Sequence, residues 1–510
     1  MPSISTSIAT KFLSFFLLLV YVSRKTLAAN PKTNFPTDSL VLGLVHSRTS
    51  LLIPKKGYNS ISRKRLKTME MGSDDNVIEP LREIRDGYLM SLTLGTPPQV
   101  IQVYMDTGSD LTWVPCGNLS FDCQDCEEYQ NNVLGPKLAA FLPTHSSTSI
   151  RETCGSSFCM DIHSSDNPFD PCTIAGCSLA TLVKGNCPRP CPSFAYTYGA
   201  SGVVIGTLTR DVLFMHGNNI NSPNSTKQIP RFCFGCVGAS YREPIGIAGF
   251  GRGLLSLPFQ LGFSHKGFSH CFLPFKFSNN PNFSSPLILG NLAISSKDDH
   301  LQFTPLLKSP IYPNYYYIGL ESITIGNGNN NFRFGVSFKL REIDTKGNGG
   351  MLIDSGTTYT HLPEPLYSQL ISNLESVIAY PRAKQVELNT GFDLCYKVPC
   401  RNNNFSFIDD SQLPSITFHF LNNVSVVLPQ GNNFYAMAAP INSTVVKCLL
   451  FQTMDGVGGD NDDSDGPAGI FGSFQQQNLE VVYDLEKERL GFQPMDCASV
   501  AATQGLHKNV

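Results

Sequence analysis

Val103-Tyr104-Met105-Asp106-Thr107-Gly108-Ser109 decides the fold, because the chain repeats it as Met351-Leu352-Ile353-Asp354-Ser355-Gly356-Thr357. Each copy is an apolar segment that ends in Asp-(Thr/Ser)-Gly-(Ser/Thr), and 248 residues separate the two aspartates. A second pair of signals follows in the same order, Gly246-Ile247-Ala248-Gly249 and Gly469-Ile470-Phe471-Gly472. One such signal alone would be weak, but four in the same order predict two homologous lobes. We expect each lobe to supply one aspartate to a shared cleft.

The chemistry of Asp106 and Asp354 explains why the motif is needed twice. Two carboxylates held a few ångström apart cannot both ionise cheaply, so they share one proton. The ionised member takes a proton from a bound water, and the protonated member donates to a substrate carbonyl. The predicted supporting residues of this dyad are Thr107, Gly108, Ser109, Ser355, Gly356 and Thr357. The alternative is that both aspartates only cap turns.

Composition favours a β-rich globular chain. The 510 residues are 41% hydrophobic and 15% charged, which excludes global disorder. Glycine (42) and proline (34) are frequent and helical periodicity is scarce, so we expect many short strands joined by turns. The length allows two or three domains or one large two-lobed unit.

The N-terminus is predicted to be a signal peptide over residues 1–29. Lys11 precedes an apolar stretch, Phe12 to Val22, that is 11 residues long, whereas spanning a bilayer needs about 20. An uncleaved anchor is the alternative. Residues 498–510 form a polar tail without the apolar run of a lipid-anchor signal, so we expect no membrane anchor. We therefore place the protein in the secretory pathway, with an extracellular (cell wall or apoplast) or vacuolar destination.

Sixteen cysteines fit an oxidising compartment. Twelve lie from Cys116 to Cys271 and four from Cys395 to Cys497, and these even counts would allow each half to close its own disulfides. The Cys-x-x-Cys pairs Cys123/Cys126 and Cys233/Cys236 are also typical of zinc sites. Behind a signal peptide we favour disulfides, expect no metal and no cofactor, and leave the pairing open.

Asn-x-Ser/Thr acceptors support secretion. The six predicted glycosylation sites are Asn118, Asn224, Asn282, Asn404, Asn423 and Asn442.

Charge is spread unevenly along the chain. Residues 30–72 carry eight basic and two acidic side chains, and residues 1–29 carry three basic ones. The remainder therefore has a formal charge of −12, against −3 for the whole chain. An acidic body is not the profile of a nucleic-acid binder. We interpret residues 30–85 as a basic pro-segment released when carboxylates protonate, with a disordered leader as the alternative.

The body of the chain divides into two predicted lobes. The N-terminal lobe spans residues 86–308 and includes a Cys-rich insertion at 117–192. The C-terminal lobe spans residues 309–497. A third glycine-rich stretch, Gly249-Phe250-Gly251-Arg252-Gly253, superficially looks like a phosphate loop. It lacks the Lys-Ser/Thr pair and the βαβ setting, so we reject that interpretation.

From Gly87 to Cys497 the sequence resembles the pepsin-like aspartic protease family, and more closely its plant nepenthesin-like branch. The resemblance rests on both Asp motifs in their longer context and on three further runs, Leu94-Gly95-Thr96-Pro97-Pro98-Gln99, Phe474-Gln475-Gln476-Gln477-Asn478 and Tyr483-Asp484-Leu485. It implies an all-β fold with two homologous lobes around a central cleft.

The resemblance also implies a flap hairpin over the cleft that bears a tyrosine, here around residues 194–213. Tyr198 and Gly199 match the flap, and the Tyr198 hydroxyl is expected to pair with the indole N–H of Trp113. The alternative is that these are ordinary core aromatics. Three positions depart from the family pattern: Ala200, Ala248 and Ser473. These departures bear on substrate preference and pH optimum, not on the reaction.

The resemblance implies an aspartic endopeptidase that cleaves polypeptides at acidic pH. The basic pro-segment predicts a zymogen, and we expect a monomer. No HExxH motif or nucleophile elbow occurs, which argues against a metalloprotease and against a serine hydrolase. His361 lies close after the second motif but is expected to be a packed or surface histidine. The main alternative is a secreted binding or protease/glycosidase-inhibitor-like protein on the same fold. A glycosidase with two carboxylates is more distant, since it would not explain the duplicated turns.

Overall fold

The computed structural model describes fifteen stretches of the chain. These are residues 39–46, 87–117, 121–126, 140–164, 170–185, 187–199, 202–219, 222–277, 283–294, 300–327, 330–401, 408–437, 442–454, 466–504 and 506. The predicted signal peptide, most of the predicted pro-segment and three predicted glycosylation sites (Asn118, Asn282 and Asn404) lie outside the described residues.

Short strands dominate the first half of the described chain. They are β1 (Leu40–His46), β2 (Tyr88–Leu94), β3 (Gln99–Asp106), β4 (Trp113–Pro115), β5 (Asp122–Gln124), β6 (Ile150–Arg151), β7 (Phe194–Thr197), β8 (Val203–Asn219), β9 (Ser222–Tyr241), β10 (Gly246–Gly249), β11 (Gly267–Cys271), β12 (Ser285–Leu289) and β13 (Gln302–Pro305).

The second half has the same character. Its strands are β14 (Tyr317–Ile318), β15 (Leu320–Asn327), β16 (Asn330–Gly335), β17 (Met351–Ile353), β18 (Thr360–Leu362), β19 (Cys395–Pro399), β20 (Ser415–Phe420), β21 (Val424–Val427), β22 (Phe434–Ala436), β23 (Thr444–Leu449), β24 (Phe451–Thr453), β25 (Gly469–Phe471), β26 (Leu479–Asp484) and β27 (Arg489–Pro494). The predicted all-β, two-lobed fold class is confirmed.

Helices are few and short. They are α1 (Ser157–Ile162), α2 (Pro171–Ile174), α3 (Leu179–Lys184), α4 (Leu257–Gln260), α5 (Asn291–Ile294), α6 (Phe338–Arg341), α7 (Leu366–Val377), α8 (Lys384–Thr390) and α9 (Cys497–Thr503). Helix α7 buries Leu366, Leu370 and Leu374, the four-residue spacing of one helical face. Within the described residues, no helix has the length and apolar character required to cross a membrane.

A fifteen-stranded sheet runs through both halves of the chain. Strand β11 of the first half pairs antiparallel with β26 of the second, with Phe268 opposite Tyr483. Their rings are stacked with centroids 4.2 Å apart, and both residues are fully buried. Smaller sheets of five, four and three strands complete the second lobe.

The described part of the predicted pro-segment is a strand of this sheet. Strand β1 pairs with β12 through Leu40 to Leu44 and with β2 through Val45 and His46. The leucines of β1 alternate toward the core, where Leu40, Leu42 and Leu44 are buried. Residues 40–46 therefore contribute to the core of the body.

The two copies of the motif form the same local structure. Strand β3 runs parallel to β10, with Val103 opposite Gly246. Strand β17 runs parallel to β25, with Met351 opposite Gly469. Each aspartate thus follows a buried strand whose parallel neighbour begins with the Gly–apolar–apolar–Gly signal.

The disulfide pattern differs from the even split between halves. Cys271 pairs with Cys497 and ties β11 to α9, which leaves one cysteine of each half, Cys233 and Cys400, unpaired and buried. The two halves do not close their disulfides separately, because β11, which carries Cys271, pairs with β26 of the second half. The remaining bonds are Cys116–Cys236, Cys123–Cys126, Cys154–Cys172, Cys159–Cys191, Cys177–Cys187 and Cys395–Cys448.

Two predicted segments contain more regular structure than the sequence suggests. The Cys-rich insertion 117–192 holds the short helices α1, α2 and α3. The predicted polar tail, residues 498–510, begins within α9, where Cys497 and Ala501 are buried. The Asp496 carboxylate caps this helix by accepting from the Ala498 amide at 3.1 Å.

Candidate active site

The two aspartates of the repeated motif are buried at the ends of their strands. Asp106 is the last residue of β3 and Asp354 follows β17 directly. Their relative exposures are 6% and 9%, so each carboxylate is largely shielded from bulk water.

Both carboxylates accept the same two hydrogen bonds from their own turns. Asp106 accepts from the Gly108 amide at 2.9 Å and from Ser109 Oγ at 2.5 Å. The equivalent bonds of Asp354 come from Gly356 and Thr357. Their lengths are 2.8 and 2.5 Å. The two half-sites are therefore near-copies in their immediate polar contacts.

The motif glycines bring the two half-sites face to face. A Cβ on Gly108 would lie 2.6 Å from Cγ of Asp354, and a Cβ on Gly356 would lie 2.4 Å from Oδ1 of Asp106. No side chain fits at either position, so each carboxylate packs against the backbone of the opposite motif. This is the arrangement that lets two carboxyl groups share a proton around one bound water.

The middle residues of the motifs fasten the turns to each other. The Thr107 amide donates to Ser355 Oγ at 3.0 Å, and the Ser355 amide donates to Thr107 Oγ1 at 2.9 Å. Each hydroxyl also donates across to the other lobe, Thr107 to the carbonyl of Ile353 and Ser355 to the carbonyl of Met105. All six predicted dyad-support residues thus contact the carboxylates or the opposite motif.

The flap tyrosine lies where the turn of its hairpin begins. Tyr198 follows β7, and its amide donates to the carbonyl of Gly202 just before β8. The indole N–H of Trp113 donates to the Tyr198 hydroxyl at 2.7 Å, as the sequence predicts. Trp113 is fully buried and Tyr198 is 8% exposed. A Cβ on Gly199 would meet no atom within 4 Å, while Ala200 lies outside the described residues.

Tyr315 is a site residue that the sequence analysis missed. Tyr317 pairs with Leu352 in β14 and β17, and the Ile353 amide donates to the Tyr316 carbonyl at 2.9 Å. This register places Tyr315 beside Asp354. Burial, followed by the nearby carboxylates, raises the pKa of Tyr315 to about 12, so its hydroxyl stays protonated. The sequence signal that could have predicted an aromatic residue at the site is the run of three tyrosines at residues 315–317.

Other predicted features lie away from the dyad. His361 is in β18, and its Nδ1 lies 3.0 Å from the Thr453 carbonyl. Asn423 and Asn442 are exposed, with φ of 59° and 49°, and Asn224 lies in β9.

Two clusters of potential metal ligands occur in the insertion, but they offer no thiolates. One contains Cys154, Cys177 and Cys187, and the other contains Cys159, His163 and Cys191. All five cysteines are in disulfides, and a disulfide sulfur is not the thiolate that binds zinc.

Comparison with known protein families covers both lobes. Residues 88–291 match the family described as xylanase inhibitor N-terminal. Residues 315–494 match the family described as xylanase inhibitor C-terminal.

The chain is also similar to named plant proteases. A probable aspartyl protease of Arabidopsis thaliana is 34% identical over 448 residues, which is 81% of this chain and 83% of the relative. The aspartic proteinase nepenthesin-2 of Nepenthes gracilis is 28% identical over 81% of this chain and 78% of its own length.

Solved structures with the same fold include the crystal structure of edgp. It has a TM-score of 0.59 and 19% identity and covers 94% of this chain and all of its own (100%). Conglutin gamma, a basic 7S globulin from lupine seeds, has a TM-score of 0.56 and 17% identity and covers 91% and 98%. At these identities the likeness concerns the fold alone.

Proposed function

The chain belongs to the plant pepsin-like aspartic protease family, and we propose that it is an aspartic endopeptidase that hydrolyses peptide bonds at acidic pH. The single observation that carries this proposal is the facing pair Asp106 and Asp354, with matching donors on both sides. A chain that had lost catalysis would be free to lose this symmetry.

The proposed mechanism uses only side chains of this chain and one water. The ionised carboxyl of the pair accepts a proton from the water, which attacks the carbonyl carbon of the scissile peptide bond. The protonated carboxyl donates to the carbonyl oxygen as the tetrahedral intermediate forms. Proton transfer to the leaving nitrogen then breaks the C–N bond and releases an amine and a carboxylic acid. Ser109 and Thr357 hold the outer carboxylate oxygens in place throughout.

The flap supplies the second element of the proposal. Because the Trp113 indole N–H donates to the Tyr198 hydroxyl, the flap tyrosine is held where β7 enters the turn of its hairpin. We propose that an extended polypeptide binds between this tyrosine and the dyad. Because the tyrosine is already fixed before substrate binds, binding loses less conformational entropy.

Secretion and latency also belong to the proposal. The predicted signal peptide, the seven disulfides among the described cysteines and the exposed acceptors Asn423 and Asn442 support passage through the secretory pathway. The basic residues between positions 48 and 67, which follow the buried strand β1, support a zymogen that acidification activates.

A secreted binding or inhibitor protein is the second candidate. It is favoured by the matched families, which are described as xylanase inhibitor domains, and by the solved seed globulins of the same fold. Such a role would not need two matched carboxylates or a fixed flap tyrosine. Activity therefore separates the two candidates.

The deciding experiment is cleavage of a denatured protein substrate from about pH 2.5 to 7, the range in which such a dyad titrates. Wild type would be assayed with and without pepstatin, beside Asp106→Asn and Asp354→Asn. Asp122→Asn is the matched control, since Asp122 is exposed on β5. We expect acidic activity that pepstatin and both dyad variants abolish and that the control retains. Correctly processed, folded and inactive wild type would favour the binding or inhibitor role.

A further inference from the structure

The two half-sites differ at the residue that follows each motif. The first motif continues into Asp110, whereas the second continues into Thr358. The bonds around Asp106 and Asp354 are otherwise matched, so Asp110 is a third carboxyl close to the dyad on one side only. It lies next to Ser109, whose hydroxyl donates to Asp106 Oδ2 at 2.5 Å.

Asp110 packs against the glycine-rich stretch that follows β10, which we call the glycine loop (residues 249–253). The Gly253 amide donates to Asp110 Oδ1 at 2.8 Å. A Cβ on Gly251 would lie 2.3 Å from that oxygen, and one on Gly253 would lie 2.7 Å from the carboxyl carbon. Glycines let the backbone of a phosphate loop approach a phosphate closely. In this loop, glycines let the backbone approach the Asp110 carboxyl of the same chain.

The glycine loop also makes contacts between the lobes. The Arg252 amide donates to the Asn314 carbonyl at 2.8 Å, and the Arg252 guanidinium lies 2.6 Å from Glu488. The Tyr316 hydroxyl donates to the Phe250 carbonyl at 2.8 Å. Since the Tyr316 carbonyl accepts from Ile353, next to Asp354, one chain of direct contacts joins Asp110 to the second half-site.

Among the described residues, no cation is paired with Asp110. The groups that face it are the Gly253 amide and the Asn314 side chain, the phenols of Tyr196, Tyr315 and Tyr316, and the carboxyl of Asp161 in α1. The guanidinium of Arg252, on the glycine loop, is paired with Glu488. Burial raises the pKa of Asp110 to about 7 against hydrogen bonds from Gly253 and Asn314 that lower it.

We propose that Asp110 is a positioning residue whose carboxyl clamps the glycine loop to the first motif and so aligns the two half-sites. The Asn314 side chain carries both a donor and an acceptor, so it can satisfy the carboxyl in its neutral form. The expected effect of Asp110 on catalysis rests on the proposed function. Its expected effect on stability is independent of that function.

Ionisation of Asp110 gives the clamp a pH dependence of known sign. The carboxyl has a pKa of about 7 in the folded chain and 3.8 as a model group, so the folded state binds more protons between these values. The free energy of unfolding therefore falls as pH rises through that window, and above about pH 7 Asp110 adds no further change. The net contribution of Asp110 to stability is therefore most favourable at acidic pH, where the proposed protease works.

The stability arm of the test compares Asp106→Asn with Asp106→Asn/Asp110→Asn, a background that removes self-digestion. Asparagine keeps the shape of Asp110 and the oxygen that accepts from Gly253. We expect the unfolding constant of the single variant to rise by up to about tenfold per pH unit, relative to the double variant, between pH 4 and 7. Parallel pH curves for the two proteins would overturn the proposal.

The kinetic arm compares wild type, Asp110→Ala, Asp110→Asn and the exposed control Asp122→Asn. We expect Asp110→Ala to lower kcat at pH 4 by roughly tenfold with little change in KM, because the half-sites are misaligned. Asp110→Asn should restore most of that loss and remain active to higher pH than wild type. Equal pH profiles, or a loss confined to KM, would contradict the proposal. An inactive wild type would count against the proposed function, and the stability arm would still decide the role of Asp110.

Discussion

Thr107 and Ser355 exchange hydrogen bonds across the two lobes, each amide donating to the other's hydroxyl at 3.0 and 2.9 Å. Both residues are buried, with exposures of 0% and 1%. Each therefore holds the turn on which the opposite carboxylate is mounted. The pair makes the alignment of Asp106 and Asp354 a property of both lobes together.

Removing either hydroxyl should weaken the junction between the lobes. Thr107→Val keeps the side-chain shape but leaves the buried Ser355 amide without its acceptor, which costs about 1–3 kcal/mol of unfolding free energy. Ser355→Ala should have a similar effect. Urea unfolding in the Asp106→Asn background measures both, with the exposed Thr173→Val as the control.

A double-mutant cycle separates this exchange from general loss of packing. Residues that share hydrogen bonds are expected to show a coupling free energy of about 0.5–3 kcal/mol. If the effects of Thr107→Val and Ser355→Ala simply add, the two hydroxyls do not form one cooperative junction.

The flap prediction concerns the hydrogen bond between Trp113 and Tyr198. Tyr198→Phe removes the hydroxyl that accepts from a fully buried indole N–H, so we expect the free energy of unfolding to fall by about 1–3 kcal/mol and kcat/KM to decrease. Because the chain has 1 tryptophan, its fluorescence reports on this site alone. The emission spectrum should shift in Tyr198→Phe and stay unchanged in Tyr241→Phe, whose ring is 39% exposed. An unshifted spectrum with full activity would contradict a role for the pair.

The disulfides predict a contrast between a long and a short covalent loop. Cys271–Cys497 closes 226 residues, whereas Cys123–Cys126 closes 3. Removing the first by Cys271→Ser/Cys497→Ser should cost about 2–5 kcal/mol, because a long loop restricts the unfolded chain more strongly. Removing the second by Cys123→Ser/Cys126→Ser should cost much less. Chemical denaturation of both double variants measures the difference, and equal losses would argue against the assigned pairing.

The parts of the site that could be predicted from the sequence are those encoded locally. Asp106 and Asp354 could be predicted because each sits in a motif of consecutive residues, and the repeat supports both. The Trp113–Tyr198 contact could be predicted only through the family resemblance, since 85 residues separate the two. The fold class followed from strand-like alternation and turn residues.

The parts that could not be predicted depend on which distant strands pair. Tyr315 lies beside Asp354 only because β14 and β17 pair in one register. The bond from Cys271 to Cys497 follows from the pairing of β11 with β26, which no count of cysteines shows. No role could be predicted for Asp110 from the sequence, because its packing against Gly251 and Gly253 is a tertiary contact.

The last prediction concerns His270, a buried histidine in β11. Its ring stacks on Phe272 with centroids 4.0 Å apart, and neither ring nitrogen has a hydrogen-bond partner among the described residues. Burial lowers the pKa of His270 from 6.5 to about 3. The unfolded chain therefore binds a proton that the folded chain does not, from about pH 6.5 down to about pH 3.

It follows that His270 weakens the folded state in the pH range where the proposed protease works. We expect His270→Phe to lessen the loss of stability on acidification by up to about 1.4 kcal/mol per pH unit below pH 6.5. The exposed control His265→Phe should leave the pH dependence unchanged. Urea unfolding between pH 7 and 3, in the Asp106→Asn background, measures the effect. If the free energy of unfolding depends on pH in the same way with and without His270→Phe, then His270 is protonated in the folded chain. Its burial would then not destabilise the fold at acidic pH.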